Sequence, residues 1–323
     1  MVRSVRSVTP SGNHRTSRGC APASRLQSVV YMSPDVPLTR GSRVGDYEVM
    51  RRLGAGGMAT VYLARAPGGE AVALKVLAPE LGEGTRGARF AREVTTAARL
   101  RHPGCVRLID RGFLPDGTPF LVTELLAGPT LRDALAQRFS IPEVLLAGIE
   151  LSDALAHAHR AGVLHRDIKP ENIMFRGPGR RGGAVLIDFG LSRLQDDAPL
   201  TAVGTCLGSP SYLAPERLLE RGCDERADIY AIGCVLYELL AGRPPFVGDG
   251  PLEIGRRHVL DLPVSVRQRR ASTPAALAAI IHRALEKDPA QRFARAETMA
   301  AALASVAVPQ RSRSEPQASD SLA

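Results

Sequence analysis

VLHRDIKPENIMF, residues 163–175, gathers His165, Arg166, Asp167, Lys169 and Asn172 within eight positions. Each polar type suits one part of a group transfer. Asp167 can accept a hydroxyl proton, Lys169 can neutralise a transferring phosphoryl group, and Asn172 can ligand a metal. AVLIDFG at 184–190 follows, with Asp188 at the end of a short β-like run, 21 residues after Asp167. A carboxylate there suits a hard cation such as Mg²⁺, which takes a few protein oxygens plus substrate phosphates.

Upstream, LGAGGMATVYLA at 53–64 sets Gly54, Gly56 and Gly57 between two β-like runs. Glycines let a hairpin fold close over a phosphate with no side chain in the way. Alone the feature is weak. It lacks the GK[ST] ending of a P-loop and does not open a helix as a dinucleotide-binding turn does. Lys75 in AVALKVL lies 21 residues beyond Gly54, and Glu93 a further 18 on, within a helical pattern. A strand lysine that must reach phosphates benefits from a carboxylate holding it. Lys75, Lys169 and Lys287 are the three lysines among 42 basic side chains; the rest are Arg. In such a chain a lysine is either a chance survivor or a place where a compact ammonium is needed instead of a planar fork.

The composition narrows the field. At 323 residues, 44% hydrophobic and 23% charged, the chain has the make-up of a soluble globular protein with one large or two modest domains. No apolar run reaches the ~18–20 residues of a membrane span, so no span is expected. Five scattered Cys without a CxxC pair argue against a disulfide framework or zinc site and fit the cytoplasm. The net charge of +9 is concentrated in the first 34 residues, which hold five Arg and no Asp or Glu. The remainder is mildly basic and lacks interleaved Arg and aromatic residues, so no nucleic-acid partner is expected.

Residues 1–43 are polar, Arg- and Ser-rich and without hydrophobic period, and are expected to be disordered, as are 306–323. The domain is expected over 44–305. Its first part, to about 125, carries β-like runs interrupted by one helical pattern at 86–101; from 129 to 305 helices dominate, expected at 129–138, 141–162, 225–241, 274–286 and 295–306. A cleft between two such lobes is a usual ligand site.

The glycine loop, VALK, HRDIKPEN, DFG and the APE of SPSYLAPE at 209–216 stand in one order and spacing. In this the chain resembles the protein kinases, and among them the bacterial eukaryotic-like Ser/Thr kinases, from about Tyr47 to Leu303. The resemblance implies an α+β, bilobal fold: a small antiparallel-sheet N-lobe with one helix, and a larger, mostly helical C-lobe. It implies transfer of the ATP γ-phosphate to protein Ser/Thr hydroxyls, with ATP and Mg²⁺ as cofactors. Gly54, Ala55, Gly56, Gly57 and Val61 would cover ATP. Lys75 would hold its phosphates and pair with Glu93. Asp167 would take the hydroxyl proton, Lys169 would contact the γ-phosphate, and Asn172 and Asp188 would hold the metal.

By the same resemblance, 124–128 is the hinge, where Glu124 and Leu126 offer backbone groups to adenine, with Val61, Ala73 and Met174 around the ring and Thr123 behind it. Ser209 would brace Asp167 and Lys169. Thr201 and Thr205 are candidate sites of autophosphorylation, in a transient homodimer, with Arg166 receiving the phosphate. Asp228 would brace the 163–175 loop, Arg292 would pair with Glu216, and His165 and Phe189 would pack together. The third loop glycine is replaced by Ala59, and Cys206 is unusual in its position. Lys287 has no expected role and is expected to be exposed. A pseudokinase scaffold that binds nucleotide is the alternative; it would usually have lost Lys75, Asp167 or Asp188. The protein substrate is not readable from the chain.

Overall fold

The runs that alternate in the sequence pair into one antiparallel sheet. A computed structural model describes residues 38–56, 59–79, 84–189 and 210–307. Strands β1 (Arg43–Val44), β2 (Tyr47–Gly56), β3 (Ala59–Arg65), β4 (Ala71–Leu77), β5 (Leu108–Phe113) and β6 (Pro119–Glu124) lie in the order β1-β2-β3-β4-β6-β5. Helix α1 (Gly84–Ala97) crosses between β4 and β5. The period of two decides the faces. Val72 and Leu74 of β4 enter a cluster with Val49, Tyr62 and Val122, while Leu77 on the other face packs with Leu121 and with Phe90 and Val94 of α1. Ala73 and Lys75 share that second face and stay half-open.

The described chain begins at residue 38, within the stretch expected to be disordered. Leu38 N–H donates to the Tyr62 hydroxyl, and Gly41 N–H to the Val49 carbonyl. These residues are held by bonds of their backbone N–H groups, which a hydrophobic pattern does not announce. At the other end, residues 306 and 307 belong to the last helix. Residues 1–37 lie outside the described residues.

The C-terminal half is helical: α2 (Leu131–Ala134), α3 (Ile141–Arg160), α4 (Pro215–Leu218), α5 (Glu225–Ala241), α6 (Pro251–Leu260), α7 (Val266–Arg269), α8 (Ala275–Ala284) and α9 (Ala296–Ala307), with a hairpin of β7 (Ile173–Phe175) and β8 (Ala184–Leu186). Helix α2 is one turn, shorter than the expected 129–138. Helix α3 starts at a capping box, Ser140 with Glu143, which satisfies two orphan amides reciprocally. Every residue from Ala227 to Leu240 of α5 is buried, as befits the central helix of a core. Gly242, left-handed at φ 74°, ends it.

Two basic side chains of the helical half, Arg292 and Lys287, are withdrawn from solvent, the first wholly and the second in part. Arg292, from the turn after α8, makes a two-pronged pair with Glu216 of α4, both bonds 2.7 Å, and lies over the Tyr230 ring. Removing one member of such a pair costs about 3–5 kcal/mol, so this contact ties α4 to the core. Lys287, expected to be exposed, is half-buried instead, its ammonium on the His258 carbonyl and over the Phe246 ring.

Candidate active site

The 163–169 loop leaves α3 after a left-handed Gly162 and is fixed from below by Asp228. That carboxylate, in the first turn of α5 and 2% exposed, accepts from His165 N–H at 2.9 Å, Arg166 N–H at 2.8 Å and His159 Nε2 at 2.8 Å. Burial alone would raise its pKa, but the His159 bond and charge and the His165 amide outweigh that and hold it below the usual range. Arg166 takes φ 66°, a left-handed conformation that a non-glycine residue holds only when its surroundings enforce it. The bond from its amide to Asp228 is that enforcement.

Above this anchor stands Asp167. Its Oδ2 accepts from Lys169 Nζ at 2.7 Å and from Asn172 Nδ2 at 2.8 Å, and Asn172 Nδ2 also reaches the Asp167 carbonyl at 2.8 Å. Strand β8 then delivers Asp188. Ile187 N–H donates to the Asn172 carbonyl at 3.0 Å, and the Ile187 carbonyl contacts His165 Nε2 at 2.8 Å. Phe189 is buried with its ring centroid 4.7 Å from that of His165. The three polar positions of the 163–175 stretch and Asp188 are thus brought together by one backbone bond, one contact of the His165 ring with the Ile187 carbonyl, and one buried carboxylate.

Lys75 projects from the middle of the sheet, paired in register with Val61 on one side and Leu121 on the other. Its Nζ lies 2.7 Å from Asp188 Oδ2. Glu93, expected as its partner, is carried by α1 between Phe90 and Val94; its side chain is outside the described residues, as is Gly57. Across the hairpin Gly54, Ala55 and Gly56 pair with Val61, Thr60 and Ala59. A Cβ added at Gly54 or Gly56 would meet nothing within 4 Å, so packing within the described fold does not require glycine at either place.

The connection between lobes is built on Glu124. Its carboxylate takes Arg176 Nη1 at 2.8 Å and Arg107 N–H at 2.9 Å. Burial raises its pKa, while the Arg176 and Arg107 bonds carry it below the ordinary value. The amides of Ala127 and Gly128 are spent on the Arg176 and Phe175 carbonyls, whereas the Leu126 amide has no partner among the described residues. Gly128 is forced: a Cβ there would stand 2.3 Å from the Phe175 carbonyl oxygen. Val61, Ala73, Thr123 and Met174 are all half-open. Thr201, Thr205, Cys206 and Ser209 lie outside the described residues. Sequence reasoning missed His159 and Arg176; each is separated from its partner by a long stretch of chain, and no local spacing announces either.

A family model described as the protein kinase domain matches residues 47–303. The chain belongs to the protein kinase family. It is similar to serine/threonine-protein kinase PknJ of Mycobacterium tuberculosis, 40% identical over 274 residues, which cover 83% of this chain and 46% of the relative. It is similar also to PknB of Mycobacterium leprae, 36% identical, covering 80% of this chain and 42% of that one, and to pkn3 of Myxococcus xanthus, 38% identical, covering 80% and 50%. The kinase chain thus spans half or less of the length of these relatives. Among its described residues no helix is long and apolar enough to cross a membrane.

The donors present in this kinase fit a divalent hard cation. Asn172 spends its Nδ2 on Asp167, so its side-chain Oδ1 is the atom left for a metal, and Asp188 adds carboxylate oxygens while still about a third exposed. No group of three or more His, Cys, Asp or Glu side chains is placed to hold a metal among the described residues. Two oxygen-bearing side chains completed by phosphates and water are what Mg²⁺ takes, and not what zinc takes.

Proposed function

We propose that this kinase domain transfers the γ-phosphoryl group of ATP to serine and threonine hydroxyls of proteins. The observation that carries the reading is the Asp167 carboxylate, held by Lys169 and Asn172 beneath a sheet that presents Lys75. A carboxylate so held orients the incoming hydroxyl and takes its proton. Lys169, already 2.7 Å from it, is placed to meet the charge of the transferring group. Asn172 and Asp188 would hold Mg²⁺, which when bound neutralises charge on the phosphates. Lys75 would exchange Asp188 for the α- and β-phosphates, and the Glu124 carbonyl and Leu126 amide would take the adenine edge. Lys at position 169 and the names of the relatives support Ser/Thr rather than Tyr as acceptor.

A scaffold that binds nucleotide without turnover would have no use for Asp167, and Lys75, Asp167 and Asp188 are all retained. We place the domain in the cytoplasm, with protein rather than nucleic acid as its partner, and assign Thr201 and Thr205 as autophosphorylation sites reached in a transient homodimer. Incubation with Mg²⁺-ATP beside Lys75→Arg, followed by phosphosite mapping, tests the reading. Phosphate on Thr201 or Thr205 in the wild type and absent from the variant is expected. ATP binding with no phosphate transferred to itself or to any protein acceptor overturns it.

A further inference from the structure

Arg132 stands on α2, and its guanidinium joins four separate pieces of chain. Nε donates to Glu171 Oε1 at 2.8 Å, Nη1 to Glu238 Oε1 at 2.8 Å, and Nη2 to the Tyr212 hydroxyl at 2.6 Å. The Tyr212 hydroxyl donates to the other Glu238 oxygen at 2.5 Å. Glu171 belongs to the 3₁₀ turn 170–172, Glu238 to α5, and Tyr212 to the turn 210–212.

Glu238 is 3% exposed within α5, where an unpaired carboxylate is strongly unfavourable. Burial works against the Arg132 charge, but the bonds to Glu238 and Glu171 outweigh it and raise its pKa above the ordinary arginine value. Burial first, then the Glu238 charge, raises the Tyr212 hydroxyl as well. Arg132 therefore stays charged and Tyr212 protonated over the whole working range of pH. Its geometry asks for a planar fork. Five donors in one plane reach three acceptors in three directions, which a lysine ammonium cannot do from its single nitrogen.

Two of the joined pieces flank the reacting group. The turn 170–172 follows Lys169 and ends at Asn172, the two side chains that hold Asp167. Tyr212 and Leu213 line one small hollow together with Asp167 and Lys169. A hydroxyl approaching Asp167 has the 210–213 turn as its neighbouring wall. Resting on the kinase reading above, we propose that Arg132 is a positioning residue for phosphoryl transfer: it sets the spacing between the Asp167 loop and the 210–213 turn, and so the seating of the protein substrate rather than of ATP.

Arg132→Lys and Glu171→Gln test this. The first keeps the charge and loses the fork; the second alters an exposed carboxylate whose loss leaves Glu238 paired. Each is expected to raise KM for a peptide or protein acceptor about tenfold, the worth of one charge-assisted hydrogen bond, with KM for ATP unchanged. The double variant should cost no more than Arg132→Lys alone, because the two share one contact. Amide exchange should quicken in both 168–173 and 210–214 in Arg132→Lys and stay at wild-type rates elsewhere. Arg160→Lys, in the exposed pair with Glu297, serves as the control. Unchanged acceptor KM and exchange in both variants overturns the proposal, and so does a rise in ATP KM with exchange quickened throughout, which marks a merely structural role. A wild type that transfers no phosphate would defeat the kinase reading, and the exchange data would still decide whether Arg132 couples the two turns.

Discussion

Lys75 and Asp188 meet at 2.7 Å, the one from the middle of the N-terminal sheet and the other from the end of β8. Both side chains are largely but not wholly buried, so the pair carries more weight than a surface ion pair. It also places a carboxylate where ATP phosphates would come, and like charges repel. Without a cation, Asp188 should therefore oppose ATP; with Mg²⁺ it should favour it. Asp188→Asn is expected to bind Mg²⁺-free ATP at least as well as the wild type, to lose the gain in affinity on adding Mg²⁺, and to slow transfer by about 10²–10³. Calorimetric titration with and without Mg²⁺ checks the first two. An undiminished Mg²⁺ gain in the variant would remove Asp188 from the metal site.

Gly54 and Gly56 separate fold from function in another way. Neither has a neighbour that a methyl group would strike, and neither has a left-handed φ. Gly54→Ala and Gly56→Ala should thus leave stability within about 0.5 kcal/mol of wild type, as for an inert surface change. If the hairpin closes over phosphates, the same methyl groups should raise KM for ATP by about threefold to tenfold, roughly 1 kcal/mol. Denaturant melts and initial rates on the same preparations give both numbers. Loss of stability with unaltered KM would assign these glycines to folding.

How much of this was legible beforehand depends on how local each feature is. His165, Asp167, Lys169 and Asn172 act on one another within a single loop, so their spacing carried their chemistry. The bilobal fold followed, because short alternating runs and helical periods occupy different halves of the chain. Helix α6 was not legible. Leu252 and Leu260 are 83% and 66% exposed while Gly255 and His258 are buried, so its apolar residues do not mark its inner face. Glu93, the expected partner of Lys75, has its side chain outside the described residues, and the contact with Asp188, far along the chain, is one that no local spacing announces. LEKDPAQRF reads as a polar turn, and what buries Lys287 comes from Phe246 and the end of α6.

Asp228 offers a test of the anchor beneath the loop. Its Oδ2 takes His159 and His165 N–H, and its Oδ1 takes Arg166 N–H. Asparagine can replace one oxygen only; its amide would face an N–H donor. Asp228→Asn should cost about 3 kcal/mol, the upper range for a bond to a buried charged group, and should lower transfer by freeing Arg166 from its left-handed turn. The acid limb carries a further sign. Because the folded pKa lies below that of the unfolded chain, the carboxylate stabilises fully above the unfolded value near 3.8. That contribution fades as pH falls below 3.8 through the folded value. The stability gap between wild type and variant should narrow only there, read by denaturant melts between neutral and acid pH.

Lys287, expected to be exposed, sits where an arginine would not serve in its place. The ammonium donates to the His258 carbonyl at 2.6 Å, at the end of α6, and stands 4.1 Å from the centre of the Phe246 ring. A helix C-terminus favours a cation, and a ring face does too, and the ammonium already stands close to both. A guanidinium must displace Phe246 or give up the carbonyl, so Lys287→Arg should destabilise by about 1–3 kcal/mol, as overpacking does. Burial is the largest influence on the lysine itself and pushes its pKa down from 10.5 to about 8. With the folded pKa below the unfolded one, the unfolded chain binds the extra proton between about pH 8 and 10.5, so this group adds stability as pH rises through that window. Buried Cys105, raised by burial from 9.0, acts in the opposite sense and cancels in a comparison of variants. Wild type should therefore gain on Lys287→Met between pH 8 and 10 in paired denaturant melts, and a gap that stays constant or shrinks would show that the ammonium is solvated rather than buried.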